Sequence, residues 1–123
     1  MSIILHKQLS DQVIDAAFTV HSKLGPGLAE VLYKRALTIE LHEQGIRTEK
    51  EKKYSVFYNQ QLIGQYYADI VVEDSIIIET KAVKDLDVAM QAQLINYLRI
   101  SGLRVGYLCN FAPNVLHFKR FVL

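Results

Sequence analysis

Three side chains in one short stretch could do chemistry together: Asp69, Glu79 and Lys81. They belong to YYADIVVEDSIIIETK, Tyr66 to Lys81, which reads as two strands joined by a tight acidic turn at Glu73, Asp74 and Ser75. With those three residues as the loop, Val72 pairs with Ile76, and counting outward sets Asp69 directly opposite Glu79. Side chains alternate along a strand, so Lys81 falls on the same face as Glu79. Two carboxylates facing each other across an antiparallel pair repel, at a cost of up to ~1 kcal/mol. They end an otherwise apolar hairpin, where charge is hard to hydrate. A bound divalent cation would remove the conflict. With no His or Cys nearby, the oxygen ligands select a hard ion, Mg²⁺ or Mn²⁺.

Two carboxylates and a main-chain carbonyl leave such an ion open positions for water and a phosphate oxygen, the arrangement of a metal-dependent hydrolase. Lys81 could orient the attacking water or hold a phosphate oxygen. The competing reading is a surface Asp–Lys–Glu ion cluster, which contributes little to stability. Nothing else in the chain rivals the hairpin. His6, His21, His42 and His117 are scattered without metal-ligand spacing, and there is no Walker pattern, nucleophile-elbow Ser or internal repeat. Cys109, with no His near it in sequence, reads as a buried small hydrophobe rather than a nucleophile.

The elements that must position these residues follow from periodicity. Leu9 to Leu24 has the spacing of a helix with one buried face, with Ser10 as its N-cap and Asp11 in its first turn. Gly25-Pro26-Gly27 breaks it, and a second helix runs roughly from Leu28 to Gln44. Leu28, Leu32, Tyr33, Ala36, Leu37 and Ile39 share one broad face of that helix. Glu40 falls inside the apolar arc and Glu30 at its edge. Read alone, both carboxylates are structural, Glu30 through the helix dipole and Glu40 through a salt bridge.

Ile46 to Tyr58 reads as a solvated edge strand, Leu62 to Val72 as the first hairpin strand, and Ile76-Ile77-Ile78 as a central strand covered on both sides. Asp85 or Asp87 caps a helix to Ser101, apolar nearly all round, as if sandwiched between the sheet and a neighbour. Gln93 interrupts it as a buried amide, serving a core network or a site. Arg104 to Phe111 and Val115 to Val122 are the last two strands, joined at Ala112-Pro113-Asn114.

At 123 residues, half of them hydrophobic and 22% charged, the chain reads as one globular domain, 1–123. No apolar run reaches the roughly 20 residues a membrane span needs, and the N-terminus lacks the pattern of a secretory signal. A single cysteine suits the reducing cytoplasm. The net charge of +1 does not mark a nucleic-acid binder, but its distribution is uneven. The charged residues from Tyr54 to Thr80 are all acidic, and those from Val88 onward (Arg99, Arg104, Lys119 and Arg120) are all basic. An acidic centre beside basic flanks suits a metal site acting on a polyanion; the alternative is chance clustering on a solvated surface.

Asp69 followed by Glu79-Thr80-Lys81 on the next strand resembles the Asp…Glu-x-Lys signature of the PD-(D/E)xK nuclease superfamily. Gly27-Leu28-Ala29-Glu30-Val31-Leu32-Tyr33 is similar to the pattern that names the GxxExxY family within it, and Gln93 to Tyr97 resembles the superfamily's Gln-x-x-x-Tyr motif. The resemblance covers about Gly25 to Phe111. It implies an α/β (α+β) restriction-endonuclease-like core, a central mixed sheet with helices on both faces. It also implies Mg²⁺ (or Mn²⁺) held by Asp69, Glu79 and the Thr80 carbonyl, with Lys81 assisting the nucleophile. Glu30, Gln93 and Tyr97 would support the site, Glu30 and Gln93 from helices on one side of the sheet. Ala68 stands where the superfamily's name has Pro, a variable position. The implied activity is phosphodiester hydrolysis on DNA, leaving 5′-phosphate and 3′-hydroxyl ends; the alternative is a non-catalytic nucleic-acid-binding or regulatory module. A domain this small and nearly neutral points to a homodimer or a partner protein for gripping a duplex.

Overall fold

The computed structural model describes residues 4–123. The elements run α1 (Lys7–Leu24), α2 (Glu30–Glu43), β1 (Thr48–Tyr58), β2 (Gln61–Val72), β3 (Ile76–Lys81), α3 (Val88–Ser101), β4 (Val105–Asn110) and β5 (His117–Val122). The five strands form one sheet in sequence order. The β3–β4 pair is parallel, because α3 carries the chain back between them; the other pairs are antiparallel. The sheet is therefore mixed, as expected.

Alternation along the strands separates two cores. On one face, Val13, Ala17 and Val20 of α1 and Tyr33, Leu37 and Leu41 of α2 pack on Ile70, Ile76, Ile78, Tyr107 and Cys109. On the other, Leu94 and Leu98 of α3 pack on Tyr66, Ala68, Ile77 and Leu108. β3 is covered on both faces and Ile76, Ile77 and Ile78 are wholly buried, as their composition required.

The hairpin register matches its turn. Val72 pairs with Ile76, Val71 with Ile77 and Ile70 with Ile78, while Glu73 and Asp74 take left-handed backbone angles in the loop. β1 lies at the edge, its charged alternation facing solvent. Asp87 caps α3 by accepting from the Met90 N–H at 2.8 Å, and Gly102 ends the helix with φ 77°.

Several expectations fail locally. α1 begins at Lys7, not beside Ser10, and Ser10 is buried within the helix. Leu5 and Leu9 pack against the core and bring the extra turn with them. Asp11 consequently lies beyond the first turn and pairs with Lys7, four residues back, at 2.7 Å. The buried stripe of α2 is Tyr33, Leu37, Thr38 and Leu41. Leu28, Leu32 and Ile39, assigned to the same apolar face, are exposed by 38%, 42% and 59%. Among the described residues α3 has no neighbour on its outer side: Leu94 and Leu98 are its buried residues, and Val88 is 79% exposed.

Candidate functional site at the strand fork

Beyond Ile70–Ile78 the β2–β3 ladder stops, and carboxylates replace it. The Asp69 N–H donates to Glu79 Oε2 at 2.8 Å. Reciprocally, the Thr80 N–H donates to Asp69 Oδ2 at 3.0 Å, and the Thr80 hydroxyl approaches the same oxygen at 3.3 Å. Each acidic side chain thus holds the main chain of the opposite strand, and both stand in the fork where the strands part. β1 breaks at the same level. Glu51 and Asp69 are skipped between the pairs Lys50–Ile70 and Lys52–Ala68, and Glu51 has φ 53°. The alternation of β2 shifts there too, Ala68 packing in the α3-side core and Ile70 in the α1/α2-side core.

The structure brings Asp69, Glu79 and Thr80 together. Glu79 is 6% exposed, and its carboxyl pKa is pushed up to about 8, first by burial and then by the Asp69 charge. Lys81, at the end of β3, is near enough for its charge to favour ionisation of both Glu79 and Glu30. Its strand end is fixed by main-chain bonds. The Phe111 N–H donates to the Lys81 carbonyl at 2.9 Å, and buried Asn110 accepts from the Val83 N–H (3.0 Å) and donates to the Val83 carbonyl (2.8 Å).

Glu30 approaches from α2. As the first helical residue it suits the dipole, and partial desolvation, opposed by Lys81, holds its pKa above the ordinary carboxylate value, with the Asp69 charge adding to the rise. The motif's other members explain why it stands there. Gly27, with φ 102°, makes the turn into the helix. The Tyr33 hydroxyl donates to the Gly25 carbonyl (2.6 Å) and accepts from the Leu28 N–H (3.0 Å), while its ring stacks on Phe111 at 4.7 Å. Tyr33 ties the loop down, leaving Glu30 to face the fork.

α3 supplies Tyr97, whose ring stacks on Tyr66 at 3.4 Å between centroids. Desolvation, then the Glu79 and Asp69 charges, raise its pKa. Gln93 lies beside the Tyr97 hydroxyl but is exposed, so the expected buried amide is not present. Glu30 and Gln93 also stand on helices over opposite faces of the sheet, not on one side, because the β3–α3–β4 crossover covers the face that α1 and α2 leave open. Glu40 is remote from the fork; it faces Lys23 of α1 at 3.9 Å, the salt bridge expected of it. Cys109 is fully buried and its thiol is pushed up to about 12, which leaves it unreactive.

Sequence reasoning missed Lys34 and Glu51. The Lys34 ammonium lies 3.5 Å from Asp69 Oδ1 and hydrogen-bonds Glu51. Partial burial opposes its charge, but the two carboxylates outweigh burial and raise its pKa. Lys34 follows Glu30 by four residues, one turn along the same helix face, and that spacing was the available signal. The Lys34 ammonium beside Asp69 and the upward shift of the Glu79 carboxyl both lessen the conflict between the two acids.

The fork also fits a cation. Its donors are all oxygens, and Glu79 is a buried carboxyl whose proton a metal could replace. Among the described residues no three His, Cys, Asp or Glu side chains form a metal-holding cluster. Two carboxylates without a closed cage suit Mg²⁺, which keeps several waters or phosphate oxygens.

The PD-(D/E)XK nuclease superfamily profile matches residues 7–121, and the chain belongs to that superfamily. Its members are nucleases that generally use divalent metals and act on nucleic acid. The mixed sheet with helices on both faces is the restriction-endonuclease-like core of the group. Among solved structures, the crystal structure of SSO0001 matches with a TM-score of 0.61 and 18% identity, over 95% of this chain and 58% of that one. This chain therefore spans less than two thirds of that relative's length, and the likeness concerns the fold. No curated protein matches the chain. Among the described residues no helix is long and apolar enough to cross a membrane.

Proposed function

We propose that the chain, acting as a single domain, is a Mg²⁺-dependent (or Mn²⁺-dependent) nuclease of the GxxExxY kind that hydrolyses phosphodiester bonds of DNA in the cytoplasm. The observation that carries the reading is the buried Glu79 carboxyl facing Asp69 in a fork that both residues hold open through the opposite strand. Asp69, Glu79 and the Thr80 carbonyl would hold the ion, which when bound would supply a Lewis acid for the phosphate and lower the pKa of water. Lys81 orients the attacking water or a phosphate oxygen. Glu30 and Tyr97 border the reacting phosphate from opposite faces, with Gln93 at the rim. Lys34, 3.5 Å from Asp69 Oδ1, would compete with the ion for that carboxylate, and Glu51 is its other partner. A small domain of net charge +1 grips a duplex best as a homodimer or with a partner protein.

Lys34 on Asp69 also favours a second reading, a nucleic-acid-binding or regulatory module whose built-in ammonium replaces the metal. Incubating the purified protein with single- and double-stranded DNA and RNA, in Mg²⁺, Mn²⁺ or chelator, separates the two. The nuclease reading expects metal-dependent cleavage leaving 5′-phosphate and 3′-hydroxyl ends, abolished in Asp69→Ala. Intact nucleic acid that is nevertheless bound would establish the module.

A further inference from the structure

The β1–β2 pair runs on past the fork as a two-stranded ribbon. β3 pairs with β2 only from Ile70 to Val72, so from Lys52–Ala68 to Tyr58–Gln61 the two strands pair only with each other. One face of the ribbon is covered, since Tyr54 and Tyr66, a directly opposed pair, pack in the α3-side core. The neighbouring pair, Lys53 and Tyr67, turns to the other face. Among the described residues, the core beneath α1 and α2 takes Ile70 and Val72 from β2 and nothing nearer the tip. Tyr67 is accordingly 52% exposed. Alternation along β1 returns Ser55 and Phe57 to this open face, and Phe57 is 62% exposed. Rings left on an open sheet face point to a binding surface rather than to packing.

Charge indicates what covers it. From Lys52 to Ala68 the sequence contains no acidic residue. Lys52 is held by Asp74 at 2.9 Å, but among the described residues Lys53 forms no ion pair. Lys53 stands directly opposite Tyr67, so an unpaired ammonium and an exposed ring share one rung of the ribbon. That combination suits a nucleic acid, with a phosphate on the cation and a base on the ring. It suits a single strand, because bases in a duplex are stacked on one another and their faces are hidden. A duplex is gripped mainly through phosphate contacts, for which a net charge of +1 is poor. One base–aromatic stack contributes roughly 5- to 150-fold in affinity and needs no cation. The open face also leads into the fork, since Tyr67 precedes Asp69 by two residues, about 7 Å along the strand.

We propose that Tyr67, with Phe57 beyond it, stacks unpaired bases while Lys53 meets an adjoining phosphate, so that the fork receives its nucleic acid as a single strand. The inference rests on the nucleic-acid reading of the site, catalytic or not, and adds to it the form of the substrate. Fluorescence anisotropy in chelator at low salt tests it, using a labelled DNA single strand, its duplex and an abasic strand of equal length. The wild type should bind the single strand roughly tenfold or more tighter than the duplex. Tyr67→Ala should loosen that binding roughly 5- to 150-fold, and Tyr67→Phe should keep it. Neither variant should alter binding to the abasic strand, which offers phosphates alone. Phe57→Ala should act in the same direction and replaces Tyr67→Ala if that variant melts early. Equal affinity for strand and duplex, undetectable binding, or an equal loss on the abasic strand overturns the inference. So does a Tyr67→Ala variant whose oligomeric state changes while strand binding does not, which would give the face to a second copy of the chain. Cleavage in Mn²⁺, measured separately, decides the nuclease reading whichever result is found.

Discussion

Burial first, and then the Asp69 charge, disfavour the anion of Glu79. Its pKa is about 8 in the folded chain against 4.5 for an unperturbed Glu, so between these values the folded state holds a proton that the unfolded state has lost. The group's contribution to stability is therefore fully present below about pH 4.5 and lost as pH rises through about 8, by on the order of a few kcal/mol. Glu79→Gln should flatten that part of the stability–pH profile in chelator, as read by urea unfolding from pH 5 to 8.5. The same proton competes with metal, so Mn²⁺ affinity should increase up to about pH 8 and binding should release protons. Lys34 competes by charge. Lys34→Met should tighten Mn²⁺ binding roughly tenfold by calorimetry, since an ammonium 3.5 Å from the ligand oxygen is removed. Equal or weaker binding would place Lys34 outside the ion's reach.

The segment from Gly25 to Tyr33 ties sequence motif to geometry. Tyr33→Phe keeps the stack on Phe111 but removes both hydroxyl bonds that tie the turn, and should cost roughly 1–3 kcal/mol. Thermal denaturation reads the loss, and amide exchange should increase at Leu28. The hairpin was legible in the sequence because a tight turn and a period of two leave a single register for Ile70 to Ile78. Asp87 and Gly102 were equally legible, since caps are local chemistry. The start of α1 was not, because Leu5 and Leu9 extend the helix through tertiary contacts. Nor was the exposure of Gln93, because an apolar helix does not reveal in sequence which of its sides lacks a neighbour. The Lys34–Glu51 pair depends on a backbone break in β1, which carries no turn residue to announce it.

Across the whole molecule, the sheet order puts the fork between the two helical layers, so groups from α2 and α3 meet at one pair of carboxylates. The basic flank in the C-terminal third is less free for a polyanion than its composition suggested. Arg120 donates to the Leu5 carbonyl at 2.6 Å and the Tyr107 hydroxyl at 3.0 Å, and Arg104 donates to the Leu123 carbonyl at 2.8 Å. With two of that flank's four cations so engaged, binding to DNA without metal should be weak and lost with added salt. Filter binding in chelator at two salt concentrations checks this. The account depends most on the fork being a cation site, and calorimetric titration of Mn²⁺ into the wild type and Asp69→Asn at pH 8 tests that directly. It predicts one ion bound per wild-type chain and none detectable in a variant whose metal-free fold is intact. Absence of binding to the wild type, or equal affinity in the two proteins, would contradict it.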